Sequence, residues 1–223
     1  SEVTESENAL FIPLFTYRTG PYGPGGSKVA NGLTAYFEMI SKRDGGIEGR
    51  EVIWEECEFG YRTDRGVECY ERLKGKGALI SNPFSTGLTY KLVPKAPVDE
   101  IPILSMGYVM SGAADGRWFP WVFNFPTSYW SQASAFIQYV GTEMGGMENL
   151  KGKKIGLIFL ESGYGREPIK LFEALAEKFG YEFKHWAVPG KQMADQRSQW
   201  RKIVNFDPDY ICLLYTSDAA DAR

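Results

Sequence analysis

The chain of 223 residues has a single histidine, His185, and that scarcity narrows the chemistry open to it. A Ser-His-Asp or Cys-His site would have to use this residue, which falls inside a predicted strand. Around Ser162 the nucleophile pattern GxSxG fails, because Leu160 stands where its first glycine belongs. No group of Cys, His, Asp and Glu has metal-ligand spacing, so neither a metal nor a cofactor is expected. Glu55, Glu56 and Glu58 come nearest to a pair of catalytic acids, but carboxylates on a solvated strand edge are the plainer account. Lysine and arginine form no block and the net charge is −3, which argues against nucleic acid and against an anionic membrane surface. No apolar run approaches the length of a membrane span. No enzyme signature remains.

What is present in quantity is glycine, 25 residues, and aromatic side chains, 15% of the chain. Hydrophobic content of 43% and charged content of 24% are those of a globular chain with room for one large or two small cores. The organising stretch is Thr19 to Trp54. It comes after an apolar run, Leu10 to Phe15, continuous enough for a strand buried on both faces. Glycines and prolines between Gly20 and Gly26 force a loop, and Ser27 is a candidate N-cap. Val29, Leu33, Tyr36, Phe37 and Ile40 then mark one face of a helix that Asp44-Gly45-Gly46 stops. Glu51 to Trp54 opens the next strand. A βαβ unit of this kind sets its first loop at the carboxyl end of a strand, where open α/β sheets bind ligands. The loop GPYGPGGSK has neither GxxxxGK(S/T) nor GxGxxG spacing, and Pro21 and Pro24 remove amide donors that a phosphate cradle would use.

Strand and helix signals go on alternating. A helix is predicted over about Thr63 to Lys74 with Val67, Tyr70 and Leu73 on one face, then a short strand at Gly77 to Ile80. Ser81 to Gly87 is a loop leading into a helix, Ile101 to Leu104 a strand, and Ser105 to Tyr108 its exit. Trp121 to Phe125 is apolar and Pro126-Thr127 breaks it, which places a domain boundary there: 1–125 forms one lobe, and 126–211 begins a second. In the second, Ala133, Phe136, Ile137 and Val140 share a helix face, Lys153 to Leu160 is a central strand, and Ser162 to Gly165 its exit loop. Leu171, Phe172, Leu175 and Phe179 stripe another helix; Phe183 to Val188 is a strand. Asp195 is a candidate cap for a helix carrying Trp200, Ile203 and Val204, and Asp209 to Ile211 starts a further strand. The fold class is α/β: two lobes of parallel sheet flanked by helices.

The pattern GPYGxxG…NGL…A…I…GGI.GR.V, spread over Gly20 to Val52, resembles the type I periplasmic solute-binding proteins of ABC transporters, in the branched-chain amino acid group. The tandem GGI-x-G-R is its most specific piece, and looser agreement runs to about Ile211. The resemblance implies an exported, periplasmic, monomeric receptor whose two lobes close on a small amino acid, amide, urea or carboxylate and deliver it to an inner-membrane permease. An α/β enzyme using the same rim and a sensory ligand domain of the same fold are the alternatives. It also implies that residues near Ser85 and Thr86, with Gly107 and Tyr108, contact the ligand in the first lobe. Tyr22 and Tyr164 match tyrosines that close over it. Each has a plainer role: Ser85 and Thr86 as helix caps, Tyr164 as core packing, Tyr22 as a brace for the turn. Relatives for aliphatic amino acids carry a small residue and a threonine where this chain has Tyr108 and Val109, so their selectivity does not transfer. A ring at 108, with Trp118, Phe119 and Trp121 nearby in sequence, implies a pocket for a flat or compact ligand.

The same family pattern has a cysteine at the Cys57 position, with its usual partner further along. Here Cys69 lies twelve residues on, and either a disulfide between the two or a pair of buried thiols is open. The run CLLYTSDAAD, Cys212 to Asp221, resembles translated read-through of a sequencing adapter. Residues 212–223 are therefore expected to be a non-native tail that cuts the second lobe partway.

Overall fold

The structure, a computed structural model, describes residues 8–214. Apolar runs form strands, and helices with one apolar stripe carry the chain back between them. In order these are β1 (Leu10–Thr16), α1 (Gly23–Asp44), β2 (Val52–Glu58), α2 (Thr63–Lys74), α3 (Thr86–Leu92), α4 (Ala96–Asp99), β3 (Ile103–Ser105) and β4 (Val122–Asn124). Next come α5 (Tyr129–Glu143), β5 (Lys154–Leu160), α6 (Gly163–Arg166), α7 (Ile169–Phe179), β6 (Glu182–Val188), α8 (Arg197–Phe206) and β7 (Tyr210–Leu214). The chain divides into two compact units, Ser1–Pro126 and Thr127–Arg223. The described strand pairs are parallel, so the α/β class with helix-flanked parallel sheets is what the protein adopts.

In the first unit β1 pairs with β2 from Leu10↔Val52 to Thr16↔Glu58, and β3 pairs with β4 from Ile103↔Val122 to Ser105↔Asn124. The stretch expected as a strand at Gly77–Ile80 is not one. Gly77 turns the chain at φ +78°, and Leu79 stays 44% exposed. The ladder shrinks to a single bridge, Ser81↔Ile103. Even so, Leu79 N–H donates to Phe11 O (3.2 Å), Ser81 N–H to Pro102 O (2.8 Å), and Leu104 N–H to Ser81 O (2.9 Å). Residues 79–81 thus stitch β1 to β3, giving the lateral order β2, β1, 79–81, β3, β4. In the second unit β5 lies between β6 and β7, with Ile155, Leu157, Ile158 and Phe159 buried along it. The order β6-β5-β7 repeats the opening of the first unit.

Helix α1 starts earlier than expected. Pro24 occupies its first turn, where a fixed φ and missing N–H cost nothing, so Tyr22 is the N-cap and Ser27 lies inside the helix. Its buried residues are Gly23, Gly26, Ala30 and Ile40, while Val29 (41% exposed) and Tyr36 (55%) point outward rather than into the core. Small residues decide this. A Cβ on Gly26 would sit 2.3 Å from the Tyr17 ring, so only a glycine lets α1 approach that closely.

Helix α2 buries Tyr70 and Leu73 as its spacing predicts, and Cys57 at the end of β2 is bonded to Cys69 on α2, Cα–Cα 5.8 Å. In the second unit Ser128 caps α5, and Phe172 of α7 stacks on Phe183 of β6 at 5.2 Å. The exit of β5 is a helical turn, α6, capped by Ser162, rather than an open loop. Asp195 does not cap α8. Its carboxylate pairs with Arg197, Gln196 takes the N-cap position, and the helix turns Gln199, Ile203 and Phe206 inward. Trp200 (38%) and Val204 (72%) are left facing out, because Phe206 packs 5.6 Å from Trp186. Strand β7 runs through Cys212 to Leu214, and the rest of the expected tail lies outside the described residues.

Alkylation tests the disulfide. Denatured, unreduced protein is expected to modify one cysteine, Cys212, and all three after dithiothreitol. Three modified cysteines before reduction would remove the bond. Replacing Cys57 and Cys69 together by alanine is expected to cost about 2–4 kcal/mol in urea denaturation.

Candidate functional site

Right-handed crossovers bring the loops after β1, β2, residues 79–81 and β3 to one carboxyl rim of the first unit. The loop after β1 is held by charge. Arg18 Nε and Nη2 (3.0 Å) grip the Glu56 carboxylate side-on, and Arg18 Nη1 donates to Asn31 Oδ1 of α1 at 2.7 Å. Thr16 donates to the same carboxylate at 2.8 Å. These Arg18 bonds, aided by Thr16, hold the Glu56 carboxyl below its ordinary range against the opposing pull of partial burial. Burial pushes Glu58 upward, but amide and hydroxyl donors from Arg18 and Thr19 outweigh it and leave that carboxyl lowered too. Glu55 pairs with Arg72 (2.9 Å) and Lys76 (2.5 Å) instead. Glu55 and Glu56 are ion-pair partners and Glu58 is held by backbone amides and hydroxyls, so the three glutamates serve the structure of the rim.

Tyr22 ends this loop. Its ring lies 4.5 Å from Tyr61, which in turn meets Tyr17 at 4.9 Å, edge to face. Burial raises the Tyr22 phenol pKa.

A second cluster gathers the other first-unit candidates. Ser85 is the N-cap of α3, its hydroxyl accepting from Leu88 N–H at 3.3 Å, and both Ser85 (2% exposed) and Thr86 (4%) are buried. Gly107 turns at φ +88° and donates its N–H to Asn124 Oδ1 at 3.0 Å. Tyr108 N–H donates to Ser105 Oγ at 3.2 Å. The Tyr108 hydroxyl donates to Asn82 Oδ1 and accepts the Phe84 N–H at 3.2 Å, and its ring lies 6.1 Å from that of Phe84. Tyr108 therefore ties the exit of β3 to the loop entering α3. The broader aromatic wall does not form: Trp118 is 78% exposed, while Phe119 and Trp121 pack against the first unit's core.

In the second unit Tyr164, on α6, packs edge-on against Tyr129 of α5 at 5.4 Å. His185 lies on edge strand β6 between the rings of Phe159 (5.7 Å) and Phe183 (5.9 Å). Sequence reasoning missed Arg18, Phe84 and Tyr61. Arg18 and Glu56 lie 38 residues apart. Phe84 and Tyr61 adopt positive φ, +51° and +60°, which neither glycine nor asparagine at those positions announces. Among the described residues no group of three or more His, Cys, Asp or Glu could hold a metal.

This architecture has relatives. A family model described as periplasmic binding protein matches residues 9–222, and the chain belongs to that family, whose members bind solutes and are not enzymes. The chain is 26% identical over 186 residues to Leu/Ile/Val-binding protein homolog 3 of Brucella melitensis, covering 81% of this chain and 48% of that protein. Among solved structures it is similar to one from the Pseudomonas fluorescens group described as an ABC transporter permease, with 36% identity, a TM-score of 0.83, and coverage of 94% of this chain and 51% of that one. A branched-chain amino acid ABC transporter structure from Thermus thermophilus with bound valine shares the fold at 18% identity, with a TM-score of 0.77 over 92% of this chain and 53% of that one. The chain spans about half the length of these relatives.

Hydroxyl deletions separate the two clusters. Tyr108→Phe strands Asn82 Oδ1 and the Phe84 N–H and is expected to cost about 1–3 kcal/mol in urea denaturation, whereas Tyr22→Phe is expected to be near neutral. A near-neutral Tyr108→Phe would show that the hydroxyl does not hold the loop.

Acid titration checks the Arg18–Glu56 pair. The folded carboxyl values of Glu56 and Glu58 lie below the ordinary 4.5, so their stabilisation is present above that pH and lost as pH falls through the folded values. Glu56→Gln is expected to flatten the acid limb of stability against pH. An unchanged limb would exclude the pair as a contributor.

Proposed function

We propose that the chain is the ligand-binding part of an exported ABC-type solute receptor. In this reading it takes up a small carboxylate-bearing solute, an amino acid in the first instance, and hands it to an inner-membrane permease. The observation that carries this reading is the junction at the first unit's rim, where Tyr108 links the 82–86 loop to the exit of β3. That junction offers backbone and hydroxyl groups around Ser85, Thr86 and Gly107 beside an apolar corner of Phe84 and Tyr108. Polar groups of that kind fix a ligand's charged end, and rings cover its apolar part. Leucine, isoleucine and valine, for which those relatives are named, have that make-up. Tyr108 narrows the corner, so a flat or compact side chain fits better than a bulky branched one. Tyr22 adds ring surface on this reading, Tyr164 is carried with it as a candidate contact on the second unit, and the permease, the periplasm and a monomeric state belong to it as well.

Calorimetric titration of the full-length protein with valine, leucine, phenylalanine, benzoate, acetamide and urea tests it. Saturable binding of carboxylate-bearing members, with no product formed, is the expected outcome. Turnover would overturn the receptor, and binding confined to acetamide or urea would overturn the ligand class. Tyr108→Ala is expected to weaken the bound member by about 1–3 kcal/mol and to admit larger side chains. Unchanged affinity with a large fall in Tm would make Tyr108 a core ring.

A further inference from the structure

The loops after β1 and β2 meet backbone to backbone. Gly20 turns at φ +80°, and a Cβ there would sit 2.9 Å from Gly60 O, so the two chains pass with no room for a side chain. Directly after Gly60, Tyr61 adopts φ +60°, a conformation that is costly for an aromatic residue and persists only where its surroundings enforce it. The return is placement: the Tyr61 ring lies 4.5 Å from Tyr22.

One carboxylate joins these loops. Glu58 Oε1 accepts the Thr19 N–H at 3.3 Å, the Thr19 hydroxyl at 2.9 Å and the Gly60 N–H at 3.0 Å. Glu58 Oε2 accepts the Arg18 N–H at 2.7 Å and lies 3.2 Å from the Thr16 hydroxyl. Both oxygens face donors from these loops. An amide of the same size would therefore turn its NH₂ toward a backbone N–H whichever way it is oriented. The Arg18 guanidinium is already committed to Glu56 and Asn31, and does not compete for Glu58.

We propose that Glu58 is the positioning residue that locks the loops after β1 and β2 into one platform, and that Tyr61 is the second ring of that platform, facing the ligand beside Tyr22. The ligand-facing part rests on the receptor reading of the rim. The corner made by the two rings takes the flat or apolar part of the solute, while its charged end lies toward the 82–86 loop and Gly107. Tyr61 thereby helps to set which side chain is accepted.

Two variants of the full-length protein test it, with amide hydrogen exchange as a readout that needs no ligand. Glu58→Gln is expected to raise exchange at Arg18, Thr19 and Gly60 while α2 and β5 keep theirs. It is also expected to weaken L-phenylalanine binding by about tenfold, the equivalent of about 1.4 kcal/mol. Tyr61→Gly accepts the positive φ without strain but gives up the ring's packing on Tyr17 and Phe59, so a fall in Tm is expected. At temperatures well below that Tm, affinity for L-phenylalanine is expected to fall by a similar factor and that for L-valine by less. Exchange in Glu58→Gln at the wild-type rate would overturn the platform. Loosened loops with unchanged affinity, or a Tyr61→Gly protein that binds as tightly as wild type, would overturn the ligand-facing role. Wild-type protein that binds no member of the titration panel would overturn that role together with the receptor reading, and the exchange comparison would still decide the platform.

Discussion

Parallel pairing with right-handed crossovers is the constraint on which the rest of the first unit depends. A parallel neighbour cannot be reached by a tight turn, so each strand needs a helix-length return. The handedness of that return puts successive carboxyl ends on one edge. Thr16, Glu58, Ser81, Ser105 and Asn124 are brought to a common rim by this rule alone, although 108 positions separate the first from the last. The fold supplies the address; the side chains at those five ends decide what happens there.

Those ends are used in two physically different ways. At β1 and β2 the donors and acceptors are saturated by one another: Arg18 with Glu56 and Asn31, and Glu58 with the amides of two loops. Charge at this rim is consumed in fixing backbone and is not left to meet a ligand. β2 is also an edge strand, and its run of glutamates discourages pairing with a foreign strand. At β3 the bonds are neutral and centre on a ring, with Tyr108 reaching Asn82 and Phe84 across the sheet. Apolar surface and amide groups stay close together there, the combination that small-molecule sites favour.

Much of the fold was legible because burial writes itself into periodicity. The helix expected over about Thr63 to Lys74 forms there, since Tyr70 and Leu73 recur on one face and a glycine comes next. KKIGLIFL could only be a central strand. What resisted reading depends on partners far along the chain. The Gly77–Ile80 run is as apolar as a strand, but whether it forms a ladder is decided by β1 and β3. The outward turn of Val29 and Tyr36 results from how closely glycines let α1 approach Tyr17. Of the candidate site residues, Tyr22, Ser85, Thr86, Gly107, Tyr108 and Tyr164 were picked out by family resemblance, and the structure adds the local surroundings of each. Tyr61 and Phe84 left no trace, because a left-handed backbone at an aromatic residue is imposed by tertiary packing and has no local signature.

The irregular link at residues 79–81 has a mechanical meaning. A full ladder such as β1–β2 opens only with the loss of many bonds at once, whereas this link holds by the bonds of Leu79, Ser81 and Leu104. Protein domains open in cooperative blocks separated by their weakest seams. Here the seam runs through the middle of the sheet, with β1, β2 and α1 on one side and β3 and β4 on the other. Asn82 and Phe84 begin immediately beyond it. Small shear along this line would re-aim the Phe84 ring while the β1–β2 and β3–β4 pairings stayed intact, so the candidate site of the first unit lies beside a sparsely bonded link of its own scaffold.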